Sequence, residues 1–88
     1  MFAYILYAPN TPQTPQTEEF FRRFTETPGL LYAFDLLAEE GKDEGAVVAV
    51  WESKEAAERY LNGAPLRQEV DQALPQVRRV MYRVVDSK

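Results

Sequence analysis

The segments of this chain that read as β-strands are apolar on both faces, and this limits its possible folds more than any other feature. A sheet with helices on one side and water on the other should alternate apolar and polar residues. Here Leu30, Tyr32, Phe34 and Leu36 share one face of the segment 30–38, while Leu31, Ala33 and Leu37 occupy the other. The first segment sets Phe2, Tyr4 and Leu6 against Ala3, Ile5 and Tyr7. The last sets Val80, Tyr82 and Val84 against Val77, Met81 and Val85. One face can be covered by the chain's own helices. The other needs a cover that 88 residues do not supply, because a domain of that size buries only about 60–65% of its unfolded surface. An exposed apolar face is unusual in a soluble monomer, and the cheapest cover is a second copy packed sheet to sheet. A homodimer is the expectation.

The order of elements agrees with such a sheet. "FAYILYA" (2–8) reads as a strand stopped by Pro9. A Pro-punctuated connection, "PNTPQTPQT" (9–17), follows. It is open to two readings, a cover over a pocket or an extended linker. Thr14 before Pro15 predicts an N-cap with Pro at the first helical position, and the helix is expected to run to about Thr27 with Phe20, Phe21 and Phe24 inward. Pro28-Gly29 ends it. A second strand (30–38), a charged hairpin loop "EEGKDEG" (39–45) and a third strand "AVVAVW" (46–51) come next. Ser53 caps a second helix whose inner stripe is Ala56, Ala57, Tyr60 and Leu61. Pro65 opens a further helical piece, and "QVRRVMYRVVD" (76–86) is the last strand. The result is one α+β domain over 1–88, a ferredoxin-like βαββαβ arrangement with a four-stranded antiparallel sheet.

Composition removes most familiar chemistry. The chain has no His and no Cys, so imidazole bases, thiol nucleophiles and the usual zinc ligands are absent. Ser53 and Ser87 have no His to activate them. No metal and no cofactor are expected. The net charge of −4 argues against nucleic acid or an anionic membrane as partner. The basic run "RRVMYR" lacks the aromatic-basic third strand of RNA-recognition folds and reads as a solvated or dimer-paired strand. The 39–45 loop lacks calcium-loop spacing. No signal peptide or membrane span is visible, and without Cys a cytoplasmic setting is expected.

Residues 47–61, "VVAVWESKEAAERYL", carry a resemblance. A strand ending Val-Trp, a helix opening on "ESKEA" and an aromatic-Leu pair resemble the antibiotic-biosynthesis-monooxygenase superfamily of dimeric α/β barrels. "TPGLLYAFDLL" is similar to that superfamily's second strand. The resemblance spans nearly the whole chain and implies the dimeric barrel. It marks the fold better than the reaction, since the superfamily holds cofactor-independent oxygenases of quinol-like or anthrone-like molecules, haem-degrading enzymes and members without assigned activity. In the haem-degrading branch, the Trp-x-Ser-Lys segment matches Trp51, Ser53 and Lys54. Its pocket tryptophan falls on Tyr60, its haem-ligating histidine on Val70, and its first-strand asparagine near Tyr7, with Asn10 the nearest asparagine. Val70 cannot ligate iron, so His-ligated haem chemistry is excluded.

Tyr60 is the foremost candidate site residue. Its hydroxyl could bond or protonate a phenolic ligand, or its ring could simply pack on the sheet. Asp35, an acid inside "FDLL", could act as a base if burial raises its pKa. Alternatively it pairs, by face parity, with Arg79 or Arg83 of the last strand if those strands are close. Trp51 serves either a pocket wall or the strand–helix junction. Tyr7, Phe24, Leu66 and Val70 could complete an apolar pocket between helices and sheet. Two functions follow: a cofactor-independent monooxygenase acting on an electron-rich aromatic molecule, or a non-catalytic dimeric module that binds or senses a small apolar one.

Overall fold

The structure, a computed structural model, describes residues 1–40 and 43–88. The centre of the 39–45 loop, where the calcium spacing was sought, lies outside the described residues. Seven elements follow one another: β1 (Phe2–Ala8), α1 (Pro15–Phe24), β2 (Leu30–Leu37), β3 (Gly45–Trp51), α2 (Lys54–Gly63), α3 (Pro65–Ala73) and β4 (Arg78–Arg83). The strands form one antiparallel sheet in the order β2-β3-β1-β4. This is the ferredoxin-like βαββαβ fold, with the helices on one face. No helix among the described residues is long and apolar enough to cross a membrane.

Local chemistry sets the element ends. Thr14 and Thr17 form a reciprocal capping box at the start of α1, with Pro15 in its first turn. Ser53 accepts a hydrogen bond from the Ala56 backbone N–H at 3.1 Å and so caps α2. α1 stops at Phe24, short of the expected Thr27, and the Thr25 hydroxyl turns back to donate to the Arg22 carbonyl at 2.6 Å. Gly29 then takes φ +86, and its carbonyl accepts from the Glu52 N–H at 2.9 Å. That bond ties the turn to the end of β3. β4 is shorter than the expected 76–86 at both ends: it stops at Arg83, opposite Phe2 where β1 begins, and it starts only at Arg78 because Pro75 and Gln76 form a turn in which the Val77 N–H donates to the Leu74 carbonyl at 3.2 Å.

The helix-facing side of the sheet holds the core. Tyr4, Leu6 and Ala8 of β1 and Ala49 and Trp51 of β3 are buried against Phe24, Ala56, Ala57, Tyr60, Leu66 and Val70. A bulge at Leu31 corrects one expectation. Leu30 pairs opposite Trp51 while Tyr32 pairs opposite Val50. Leu30 therefore packs on the core, and does not share a face with Tyr32, Phe34 and Leu36. On the other side of the sheet, Ile5, Tyr7, Tyr32, Phe34, Leu36, Val48, Val50, Val80 and Tyr82 form a continuous apolar surface. Its edge is open, with Tyr32 62% and Phe34 56% exposed.

Candidate functional site

Four aromatic rings meet where β1, β3, α1 and α2 converge. Tyr4, Phe24, Trp51 and Tyr60 pack so that all six ring pairs have centroids between 5.1 and 6.4 Å apart. Most are edge-on, the arrangement that sets the positive rim of one ring against the negative face of another. The sequence order explains the cluster. Tyr4 and Trp51 share the helix-facing parity of neighbouring strands, and Phe24 and Tyr60 are the inward residues of the last turns of α1 and α2.

Beside this cluster lies a cavity of about 80 Å³, partly open to solvent. Tyr4, Leu6, Ala8 and Val47 form its floor. Phe20, Phe21 and Phe24 of α1 wall one side, and Tyr60, Val70 and Leu74 close the other. Thr11 and Gln13 of the Pro-rich connection also line it. The Thr11 N–H donates to the Asp43 carbonyl at 2.6 Å, which anchors that connection beside the β2–β3 turn. Opposite it, Arg23 holds Glu69 through two bonds of 2.9 and 2.6 Å, clamping α1 to α3. The pair is substantially exposed, so water and salt screen much of its attraction.

Of the candidates from sequence, Tyr60, Asp35, Phe24 and Val70 line this cavity. Trp51 and Leu66 are buried behind it and do not reach the lining. Trp51 belongs to the ring cluster, and its indole N–H is buried without a hydrogen-bond partner among the described residues. Tyr7 is a correction. The strand alternation that turns Tyr4 and Leu6 inward turns Tyr7 to the opposite face, where the Arg78 guanidinium lies 4.6 Å from its ring centroid.

Asp35 is a second correction. It does share a face with Arg79 and Arg83, but β2 and β4 are opposite edges of the sheet. Asp35, Val47, Leu6 and Arg79 form one row across all four strands, so the backbones of Asp35 and Arg79 stand about 14 Å apart at the usual strand spacing. No ion pair joins them. Partial burial, and then the charge of Glu18, raise the Asp35 carboxyl above its ordinary pKa.

Arg79 instead donates from Nη1 to Asp71 Oδ1 at 2.5 Å. Asp71 is shared: Arg67 Nε lies 3.1 Å from its other oxygen, close enough for an ion pair though not aligned as a hydrogen bond. The Arg79 side chain is only 11% exposed, and its Nε and Nη2 are buried with no hydrogen-bond partner among the described residues. Burial works against its charge, but Asp71 and the neighbouring tyrosines outweigh that and raise its pKa. The hydroxyls of Tyr4 and Tyr60 lie near enough to feel this cation without being aligned on it. Burial dominates for both phenols and pushes each above the ordinary range, against the pull of Arg79. Both therefore stay protonated near neutrality.

Sequence reasoning missed Tyr4 and Arg79. Tyr4 was marked by its parity with Leu6 in the first strand. Arg79 was marked as a cation between Val77 and Met81 on the same face of the last.

No family model matches the chain, and no curated protein matches it. Solved structures do. SnoaB, a cofactor-independent oxygenase from Streptomyces nogalater, superimposes with a TM-score of 0.77 at 17% identity, over 98% of this chain and 94% of that one. A protein described as an antibiotic biosynthesis monooxygenase gives 0.81 at 11% identity, over 98% and 100%. The ActVA-Orf6 monooxygenase of Streptomyces coelicolor, solved with nanaomycin D, gives 0.68 at 20% identity, over 99% and 89%. So little sequence is shared that the likeness is one of backbone over almost the full length of both partners. The chain has the fold of the antibiotic biosynthesis monooxygenases.

Proposed function

We propose that the protein is a small cofactor-independent monooxygenase of an electron-rich aromatic molecule, a quinol or an anthrone. The observation that carries this is the cavity: three phenylalanines form an apolar wall, and Tyr4 and Tyr60, whose phenols burial keeps protonated, are among its lining residues. SnoaB, of the same fold, is a cofactor-independent oxygenase. In the proposed reaction the ring substrate loses a proton and passes electrons directly to dioxygen. Overall, an anthrone methylene plus O₂ gives the ketone plus water. Desolvation by the phenylalanines and donation from Tyr60 favour the anionic substrate, and Asp35, with its raised pKa, is the carboxylate placed to take the proton. An apolar cavity of roughly 150 Å³ takes one benzene ring, so a polycyclic substrate requires Phe20, Phe21 or the 9–14 connection to move aside.

Oxygen uptake in metal-chelated, flavin-free buffer, with a panel of hydroquinones and anthrones, tests this. Uptake above the uncatalysed rate is expected, falling by about a hundredfold in Tyr60→Phe. Uptake equal in the two proteins removes Tyr60 from the chemistry. A second reading, a module that binds a small apolar molecule without turning it over, is favoured by the weakness of Asp35 as sole carboxylate in the lining. No uptake together with ligand binding selects it.

The open sheet face completes the proposal. A second copy covering Tyr32, Phe34, Leu36 and Tyr82 gives the sheet-to-sheet barrel. Light scattering at micromolar concentration is expected to give twice the 10.1 kDa chain mass, and Phe34→Asp, which sets like charges into a dry interface, the single-chain mass. A wild-type monomer sinks this part of the proposal.

A further inference from the structure

At about 80 Å³ the cavity is smaller than the roughly 150 Å³ that takes one benzene ring, so part of its wall moves when a ring enters. Most of that wall is held firmly. Tyr4, Leu6 and Ala8 belong to β1, which is paired along both edges. Phe24 and Tyr60 belong to the ring cluster, their centroids 5.1 Å apart. α1, which carries Phe20 and Phe21, is closed at its start by the Thr14–Thr17 capping box and tied to α3 by the two Arg23–Glu69 bonds.

Residues 9–13 are held differently. Pro9, Asn10, Pro12 and Gln13 are exposed, and none of the five residues is in the buried core or packed against it. Pro9 and Pro12 have no N–H to donate. Among the described residues, one hydrogen bond joins the segment to the rest of the fold, the 2.6 Å bond from the Thr11 N–H to the Asp43 carbonyl. The 3.1 Å bond from the Thr11 hydroxyl to the Pro9 carbonyl stays inside the segment. On either side of the joining bond the backbone is in the left-handed region, with Asn10 at φ +53 and Asp43 at φ +56. Asn and Asp tolerate that region better than other side chains, but they do not prefer it. Breaking the bond lets both relax.

The two ends of the segment are fixed. Ala8 pairs with Gly45 at the last rung between β1 and β3, and Thr14 is fastened by its capping box. Thr11 and Gln13 both border the cavity. Swinging the residues between these ends outward therefore widens the cavity without disturbing the sheet or α1.

We propose that residues 9–13 form a strap over the cavity, latched by the Thr11–Asp43 hydrogen bond, and that ring ligands are held with this latch released. Thr11 then helps set which ligands the cavity admits. A ligand wider than the closed volume binds only the released form, so its affinity is reduced by the fraction of molecules that are latched. A ligand that fits the closed volume meets no such penalty. This rests on the cavity being a small-molecule site, as proposed above, but not on turnover.

The probe is 2-naphthol, added under argon so that no oxidation intervenes, with the protein labelled for NMR. The methyl groups of Leu6 and Val47, on the cavity floor, report its occupancy, while Val48 and Val80, on the opposite face of the sheet, report binding there. Exchange of the Thr11 amide with water reports the latch. In the free protein that amide is expected to exchange about fivefold more slowly than an unbonded one, the factor that one net hydrogen bond supplies. With the cavity filled, it is expected to exchange at the unbonded rate. Thr11→Pro removes the donor and disfavours the turned backbone of Asn10 before it. That variant is expected to bind 2-naphthol about fivefold more tightly, because the competent form is no longer drawn from a latched one. Thr11→Val, which keeps the N–H, is expected to bind as the wild type does. A filled cavity with the Thr11 amide still protected overturns the proposal and places the moving wall in α1. Equal affinity in wild type and Thr11→Pro also overturns it, and if Thr11→Pro does not fold, amide exchange in the wild type decides alone. No shift of the Leu6 and Val47 methyls takes down the small-molecule reading, and the latch with it.

Discussion

Trp51→Ala is expected to lose about 3–5 kcal/mol of stability, the range for deleting a fully buried large aromatic. The side chain is wholly buried and touches the other three rings of the cluster. It has no polar interaction to lose, since its indole N–H is unpartnered among the described residues. The loss is one of contacts and of the void left behind. A chain this size has about 4–13 kcal/mol in all, so the variant should be largely unfolded at moderate urea. Trp51→Phe should cost much less, because a smaller ring keeps part of the edge contacts and removes the orphaned N–H. Because Trp51 is the only tryptophan, unfolding should be followed by circular dichroism, at matched protein concentration in case association contributes. A Trp51→Ala midpoint equivalent to a change within about 1 kcal/mol, the size of an average substitution, would mean the cluster is not what holds the helices to the sheet.

Gly29→Ala comes next in size. Gly29 has φ +86, where an L side chain is strained. A Cβ there would also sit 2.4 Å from the Ala56 Cβ, far inside contact distance. Ala56 cannot step aside: it is buried on α2, whose start is fixed by the Ser53 cap. The backbone must move instead, either parting α2 from the turn or breaking the 2.9 Å bond from Glu52 to the Gly29 carbonyl. Strain of about 1 kcal/mol and overpacking of about 1–3 kcal/mol give an expected loss of about 2–4 kcal/mol. Chemical denaturation measures it, and a wild-type midpoint would contradict the close approach of turn and helix.

These two positions show what could and could not be read in the sequence. The strand–helix junction at Trp51 was legible because its signals are local: an apolar run, a capping serine and an inner stripe spaced for a helix. The apolar second face was legible for the same reason, since parity along a strand needs no knowledge of neighbours. What escaped depends on which strands lie side by side. Asp35 and Arg79 share parity, which suggested a pair, but strand order set them at opposite edges. The Leu31 bulge reversed the side of Leu30, and nothing in "GLLYAF" announces an unpaired residue. Tyr7 was assigned to the pocket by its place in the resemblance, against its own parity with Ile5. Tyr4, one alternation away, was the residue to choose.

Tyr4, Phe24 and Tyr60 belong at once to the ring cluster that holds the domain together and to the cavity lining. In so short a chain there is no separate scaffold behind the pocket to absorb a change. Substitutions at those three positions alter foldability and ligand preference together, so few will be accepted by either drift or selection. Freedom to acquire new ligands lies mainly with Thr11, Gln13, Thr17, Phe20 and Phe21, which border the cavity without being part of the buried core. Divergence among chains built this way should therefore concentrate on the first helix and the connection before it, while the inner rings change slowly.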